Sequence, residues 1–276
     1  MKICLALLVS AIVLAPVVES QADQRWKLLW SDEFDHDGRP DPAKWTYETG
    51  FVRNRELQWY QPENAHCENG MLIIEARRES KRNPGYRAGS PAGAWKTDRE
   101  FAEYTSASLI TKGLASWRYG RFEMRARLDT RAGLWPAFWS LGVERDWPAS
   151  GEIDIMEYYG STLLANLIWA GPGRNASFTR RKPINTFPDP EWSAKFHVWR
   201  MDWDENRILI TVDGETMNDP DLNQAANPDG FNGFRQPHSL LVNLAVGGNS
   251  GGDPKATEFP ARLEVDYIRV YQRERQ

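Results

Sequence analysis

Residues Gly151 to Gly160 read "GEIDIMEYYG". Three carboxylates, Glu152, Asp154 and Glu157, stand in a run that otherwise has the β-branched and aromatic make-up of a strand. Successive side chains of a regular strand alternate faces, so Glu152 and Asp154 share one face and Glu157 points to the other. One extra residue, a β-bulge at Ile155-Met156, turns Glu157 back onto the face of its partners. Bulges are concentrated beside active sites because they re-aim a side chain in this way.

The bulge has a chemical consequence. Four effective steps at ~3.3 Å each put the outer Cα atoms roughly 13 Å apart on a straight strand. Strand curvature and two long Glu side chains leaning together shorten this to about 5–5.5 Å between carboxyl groups, the separation of a retaining glycosidase pair. Two such carboxyls cannot both ionise cheaply, so one keeps its proton. The protonated group donates to a leaving glycosidic oxygen, and the ionised one attacks the anomeric carbon. Asp154, between them, is placed to hydrogen-bond the nucleophile. The competing reading is a solvated strand face; a mixed metal site lacks a flanking His.

Around this strand the chain reads as β throughout. "GMLIIEARRE", "YGRFEMRARL", "AGLWPAFWSLG", "FHVWRMDWDE", "RILITVDGE", "SLLVNLAVGG" and "RLEVDYIRVYQ" are short apolar or alternating runs, punctuated by Gly, Pro, Asn or Asp. Many strands without helical crossovers predict antiparallel sheets in a sandwich or barrel. Arg77 to Glu100 reads as a long surface loop, and Gly171 to Trp192, with Arg174, Arg180, Arg181 and Lys182, as another. No repeat or linker divides the chain, which predicts one domain over 23–276. The composition, 41% hydrophobic and 26% charged with a net charge of −4, is that of a globular protein without a nucleic-acid surface. The unusual component is 13 Trp. A buried indole needs a partner for its N–H, so this abundance favours a stacking surface as well as a core.

The N-terminus predicts export. Met1-Lys2 precedes an almost unbroken apolar run from Ile3 to Val18, with small residues at Ser20 and Ala22 suited to cleavage. The run is short for a spanning helix. Residues 1–22 are therefore expected to be a signal peptide and the mature protein a secreted or periplasmic monomer, with no membrane partner after removal. Cys4 leaves with the leader, and Cys67 alone cannot form an internal disulfide.

"GEIDIMEYYG" resembles the E-x-D-x-x-E signature of glycoside hydrolase family 16, in its laminarinase-like branch. The resemblance continues through "LLWSDEFD", "RNRELQWY", "ENGMLIIEAR", "SASLITKGLASWRYGRFEMRARL", "GLWPAFWSLG", "NLAVGGN" and "FPARLEVDYIRVYQ". It implies a β-jelly-roll sandwich of two antiparallel sheets with a concave substrate cleft. It also implies Glu152 as nucleophile, Asp154 as assisting acid and Glu157 as acid/base. The typical activity is endo-hydrolysis of β-1,3- or mixed β-1,3/1,4-glucan without a catalytic cofactor. Relatives that cut agarose, porphyran or carrageenan keep a galactan open as substrate. A transglycosylase and a non-catalytic carbohydrate-binding jelly roll are further candidates.

Pattern and resemblance together mark further cleft residues. Trp135 and Trp139 lie four apart, on one strand face with Ala137 between them. They are expected to stack on sugar rings, with core packing as the alternative. Asn54, alternating with Glu56 and Gln58, is expected at the glycone end unless it sits in an uninvolved polar loop. Trp147 precedes the acids and is a further candidate. In "LLANLIWAGPG", Ile168 stands where relatives carry a His, followed by Trp169, also expected in the cleft. The cationic stretch Gly171 to Trp192 is either solvated surface or a contact for a sulfated or uronic polymer. Finally, the resemblance implies a structural calcium at the rim, on Glu33, Gly70 and Asp266, by oxygen ligation; ordinary charged turns are the alternative.

Overall fold

Strand Glu152–Tyr159 lies inside a seven-stranded antiparallel sheet. The order across that sheet is Asn175–Pro183, Thr162–Ala170, Glu152–Tyr159, Leu134–Gly142, His238–Val246, Ser108–Ile110 and Thr46–Tyr47. A second sheet of eight strands covers one face of it. Its order is Glu215–Asn218, Ile208–Val212, His197–Trp203, Gly120–Leu128, Ala261–Arg273, Met71–Ala76 and Ala65–Glu68, with Trp26–Asp32 also paired to Ala261–Arg273. This is the jelly-roll sandwich expected from the pattern of short strands. The computed structural model describes residues 26–91 and 93–274, so the leader expected at 1–22 lies outside the described residues. Among them no helix is long and apolar enough to cross a membrane.

Alternation decides which side chains enter the core. Phe122, Met124, Met201, Ile268 and Val270 from the outer sheet meet Phe138, Ile153, Leu167, Val242 and Leu244 from the inner one, all buried in one cluster. The opposite face of the outer sheet is charged, and its charges pair across strands. Arg121 faces Asp202, Glu123 faces Arg200 and Arg127 faces Glu264 as direct register partners, each joined by a salt bridge. Partly exposed cross-strand pairs of this kind contribute on the order of 0.2–1 kcal/mol apiece, which reinforces register more than it supplies stability.

The expected bulge is present. Phe138 pairs with Met156 and Trp139 with Asp154, leaving Ile155 without a partner. On the other side Asp154 pairs with Asn166 and Glu157 with Leu164, so Ile155 and Met156 together oppose Ala165. Both are fully buried in the core cluster, at 1% and 0% exposure. Two consecutive apolar side chains on one face are thus the local cause of the bulge. The outcome is that Glu152, Asp154, Glu157 and Tyr159 all face the cleft.

The packing at the bulge can be tested by mutation. Met156→Leu conserves volume and is expected to cost less than about 1.5 kcal/mol. Deleting Met156 restores regular alternation with all three acids still on one face, but removes a fully buried side chain, at roughly 2–5 kcal/mol. Thermal unfolding is expected to show a folded, clearly less stable deletion variant that keeps measurable activity. A stably folded but wholly inactive one would mean that the extra residue does more than face Glu157 inward.

One loop expectation is corrected and another refined. Gly171 to Trp192 is not a loop: Asn175–Pro183 is the edge strand of the cleft sheet, paired with Thr162–Ala170 over its full length. Only Ala176 and Phe178 pack on the core, and consecutive cations at 180–182 break the apolar alternation that would mark a strand. Arg77 to Glu100 is mostly turns, but Lys81–Arg82 pairs with Phe101–Ala102. The segment folds back onto the Asn54 loop, where Arg99 Nη2 donates to the Glu56 carbonyl at 2.9 Å.

Candidate active site

Register across the inner sheet arranges the cleft floor in rungs. Leu141, Glu152, Ile168 and Ser177 form one; Trp139, Asp154, Asn166 and Thr179 the next; Ala137, Glu157, Leu164 and Arg181 the third. The bulge is what lets the third rung line up with the other two. Above them is a cleft of about 540 Å³ that contains all three acids.

Each acid has its own partners. Trp147 Nε1 donates to Glu152 Oε2 from the loop between the two central strands, with half of its ring surface exposed. Trp135 Nε1 donates to Glu157 Oε1 at 2.8 Å, and the Trp135 ring packs edge-on against Tyr159 at 5.3 Å. Asn166 Nδ2 donates to Asp154 Oδ2 at 2.9 Å and to Glu157 Oε2 at 2.7 Å. Asp154 is 4% exposed and wedged between the two glutamates.

Electrostatics separate the roles. Burial above all, then the charges of Glu152 and Glu157, push Asp154 well above the usual carboxylate range. It therefore keeps a proton to share with Glu152, and that hydrogen bond favours the ionised nucleophile. Burial raises Glu152, while Trp147, Asp154 and the charge of Arg53 act against it. Glu157 is carried up to about 7 by burial, opposed by the Trp135 hydrogen bond and reinforced by the charge of Glu152. A carboxyl that titrates near neutrality suits a group that must give and take a proton.

The aromatic and polar walls vary in how they meet the sequence expectations. Trp135, Trp139, Trp147 and Asn54 all line the cleft. Trp139 is mostly covered, because the Arg53 guanidinium lies 4.8 Å from its ring and its Nε1 donates to Asn243 Oδ1 at 2.8 Å. Asn54 adopts a left-handed conformation (φ 55°), which Asn tolerates better than most residues, and its carbonyl accepts from the Asn249 N–H at 2.8 Å. Glu56 and Gln58 are buried struts: Gln58 Nε2 donates to Glu56 at 2.7 Å, and Gln58 Oε1 accepts from Val246 N at 2.8 Å.

Trp169 is a correction. Strand parity puts Ile168 in the cleft and turns Trp169 into the core, against Phe178 at 4.9 Å and Phe234 at 6.1 Å. The three residues expected to hold calcium have these surroundings. Glu33 accepts from Arg269 at 2.9 and 2.7 Å, Asp266 accepts from Arg125 at 2.5 Å, and Gly70 (φ 72°) forms the turn before Met71–Ala76. Among the described residues no three His, Cys, Asp or Glu side chains gather as a metal site.

Arg53, Tyr159, Asn166, Ser177 and Thr179 also line the cleft, and sequence reasoning does not single them out as cleft residues; Arg181, weighed as a polymer contact within the cationic stretch, lines it too. For Asn166 a signal exists: it is a lone amide inside the apolar run "TLLANLIWA", and a buried polar group in such a strand needs a partner.

A two-sheet sandwich with three acids facing one groove, two of them held by separate indoles, defines a polysaccharide-cleaving glycoside hydrolase. The chain belongs to the glycosyl hydrolases family 16, whose family model matches residues 59–269. A β-glucanase of Rhodothermus marinus is 40% identical over 270 residues, covering 89% of this chain and 85% of its own length. The catalytic domain of an endo-1,3-β-glucanase (laminarinase) from Thermotoga petrophila RKU-1 matches with a TM-score of 0.75 and 35% identity, covering 91% of this chain and 100% of that one. A structure from work on endo-acting O-glycanases that initiate mucin breakdown, expressed by members of the human gut microbiota, matches with a TM-score of 0.81 and 33% identity, over 90% of this chain and 91% of that one. Against two longer relatives the chain spans 37% and 34% of their lengths.

Proposed function

We propose that this chain is an exported endo-hydrolase of β-1,3- or mixed β-1,3/1,4-glucan that acts by double displacement with retention of configuration. The observation that carries the reading is the bulge at Ile155-Met156, which sets Glu152 and Glu157 on one cleft face with Asp154 between them. Glu152 attacks the anomeric carbon as Glu157 delivers its proton to the leaving glycosidic oxygen. Glu157, now ionised, takes a proton from water, which releases the sugar from Glu152 and restores both groups. Asp154 holds Glu152 through the shared proton. The exposed ring of Trp147 offers a plane for sugar faces, whereas Trp135 is 8% exposed and serves to hold Glu157. The neutral glucan as substrate is supported by the names of the similar β-glucanase and laminarinase. The apolar segment from Ile3 to Val18 supports export to the periplasm or beyond.

The test is a digest of laminarin, lichenan, agarose, porphyran and carrageenan, with products sized and the first-formed anomer followed by proton NMR. Laminarin or lichenan is expected to give mid-chain fragments with the β-anomer appearing first. An α-anomer first would overturn the double displacement. Cleavage confined to the galactans would overturn the substrate, and products longer than the starting chains would identify a transglycosylase.

A further inference from the structure

Asn166 is 5% exposed and stands beside Asp154 in the middle rung. Its single amide nitrogen has two hydrogens and spends both on acids of the site, at 2.9 Å to Asp154 and 2.7 Å to Glu157. Its Oδ1 is buried with no donor among the described residues. Turning the amide over would set that oxygen against two carboxyl oxygens and would draw the proton of Asp154 away from Glu152 and that of Glu157 away from the cleft. We propose that Asn166 is the positioning residue of the acid/base, tying the Glu157 carboxyl to Asp154 and leaving it one direction in which to present its proton. The inference rests on the acid/base reading of Glu157.

Glu157 Oε1 accepts from Trp135 and Oε2 from Asn166, so both oxygens are pinned from within the protein. When Glu157 carries its proton, the O–H must leave along a lone-pair direction that neither N–H uses, which is toward the open cleft. An unpinned Glu side chain would sample several rotamers and present its proton in only some of them.

Asn166 also affects the titration, because an N–H donated to the ionised form favours that form. The other titratable or charged groups around Glu157 are Glu152, Asp154 and Tyr159 on its own strand, Arg181 from the edge strand, and Arg53 and Glu56 from the Asn54 loop. The flanking strands otherwise turn only Trp135, Ala137, Trp139, Leu164 and Ile168 toward it, none of which titrates. Removing Asn166 therefore removes one of few interactions that oppose burial, and Glu157 keeps its proton to higher pH.

The experiment compares Asn166→Leu, Asn166→Asp and wild type in kcat, KM and the pH dependence of kcat/KM. Leucine suits the neighbouring Leu164 and Ile168 positions. The expected result for Asn166→Leu is a kcat lower by roughly 10–100-fold with KM nearly unchanged, and an alkaline limb moved up by about half a pH unit or more. A folded variant with wild-type kcat and an unmoved limb would overturn the proposal. Where Asn166→Leu does not fold, the nearly isosteric Asn166→Asp is read by the same criteria. It adds a carboxylate in place of a donor, so its limb is expected to move further upward. A Glu157→Gln control separates the two layers. If that variant keeps the alkaline limb on an activated aryl glycoside, the acid/base reading falls and this inference with it. If it loses the limb while Asn166→Leu keeps its own in place, only the inference falls.

Discussion

Glu152→Gln is expected to abolish turnover, by on the order of 10⁴-fold or more, while the protein still folds and binds glucan. The amide keeps the shape of the side chain and its place in the rung with Leu141 and Ile168. It lacks the carboxylate lone pair that attacks the anomeric carbon, and no neighbouring acid can substitute. Asp154 is locked between the glutamates, and Glu157 lies two rungs away. Stability is expected to hold or rise, because the change removes an ionisable group that burial penalises. Initial rates and sedimentation with insoluble glucan check both halves. A variant that keeps about a tenth of wild-type activity would remove Glu152 from the role of nucleophile.

Glu157→Gln is expected to fail in a different way. Proton delivery contributes typically 10²–10⁴-fold, so cleavage of natural glucan should fall by about that factor. A dinitrophenyl oligoglucoside has a leaving group that needs no proton, and its kcat/KM should fall far less. In the wild-type protein the acid form of Glu157 dominates below about 7 and is lost above it, so activity on glucan should decline as pH rises through that value. The variant should lack that decline on the activated substrate. Equal losses on both substrates would mean that Glu157 is not the proton donor.

The bulge and its three acids are legible because the spacing of Glu152, Asp154 and Glu157 fails regular alternation by one residue; the structure adds that Ile155 and Met156, adjacent and apolar, are both buried. A strand can bury two neighbours on one face only by adding a residue. The cleft tryptophans before the acids are legible for a similar reason, since their spacing of four fixes a shared face. Parity also explains the error at Trp169. Counted in twos from Asn166, the cleft position is Ile168, and its neighbour must enter the core. The edge strand Asn175–Pro183 escapes sequence reading because one strand neighbour and a polar cleft leave it few apolar positions. Glu33 and Asp266 are met in the fold by arginines distant in the chain. No local pattern reports such a meeting.

The edge strand separates two kinds of constraint. Asn175, Ser177, Thr179 and Arg181 face the groove from a strand with a single hydrogen-bonded neighbour, whereas the acids sit on an interior strand over a sealed core. Replacing Asn175, Ser177 or Thr179 changes what the groove can grip and leaves the packing beneath almost untouched, whereas Arg181 also bears on the charge of Glu157. Preference among polymers is therefore free to drift on this scaffold through the margin of one sheet, and engineered specificity has its most tolerant starting point there.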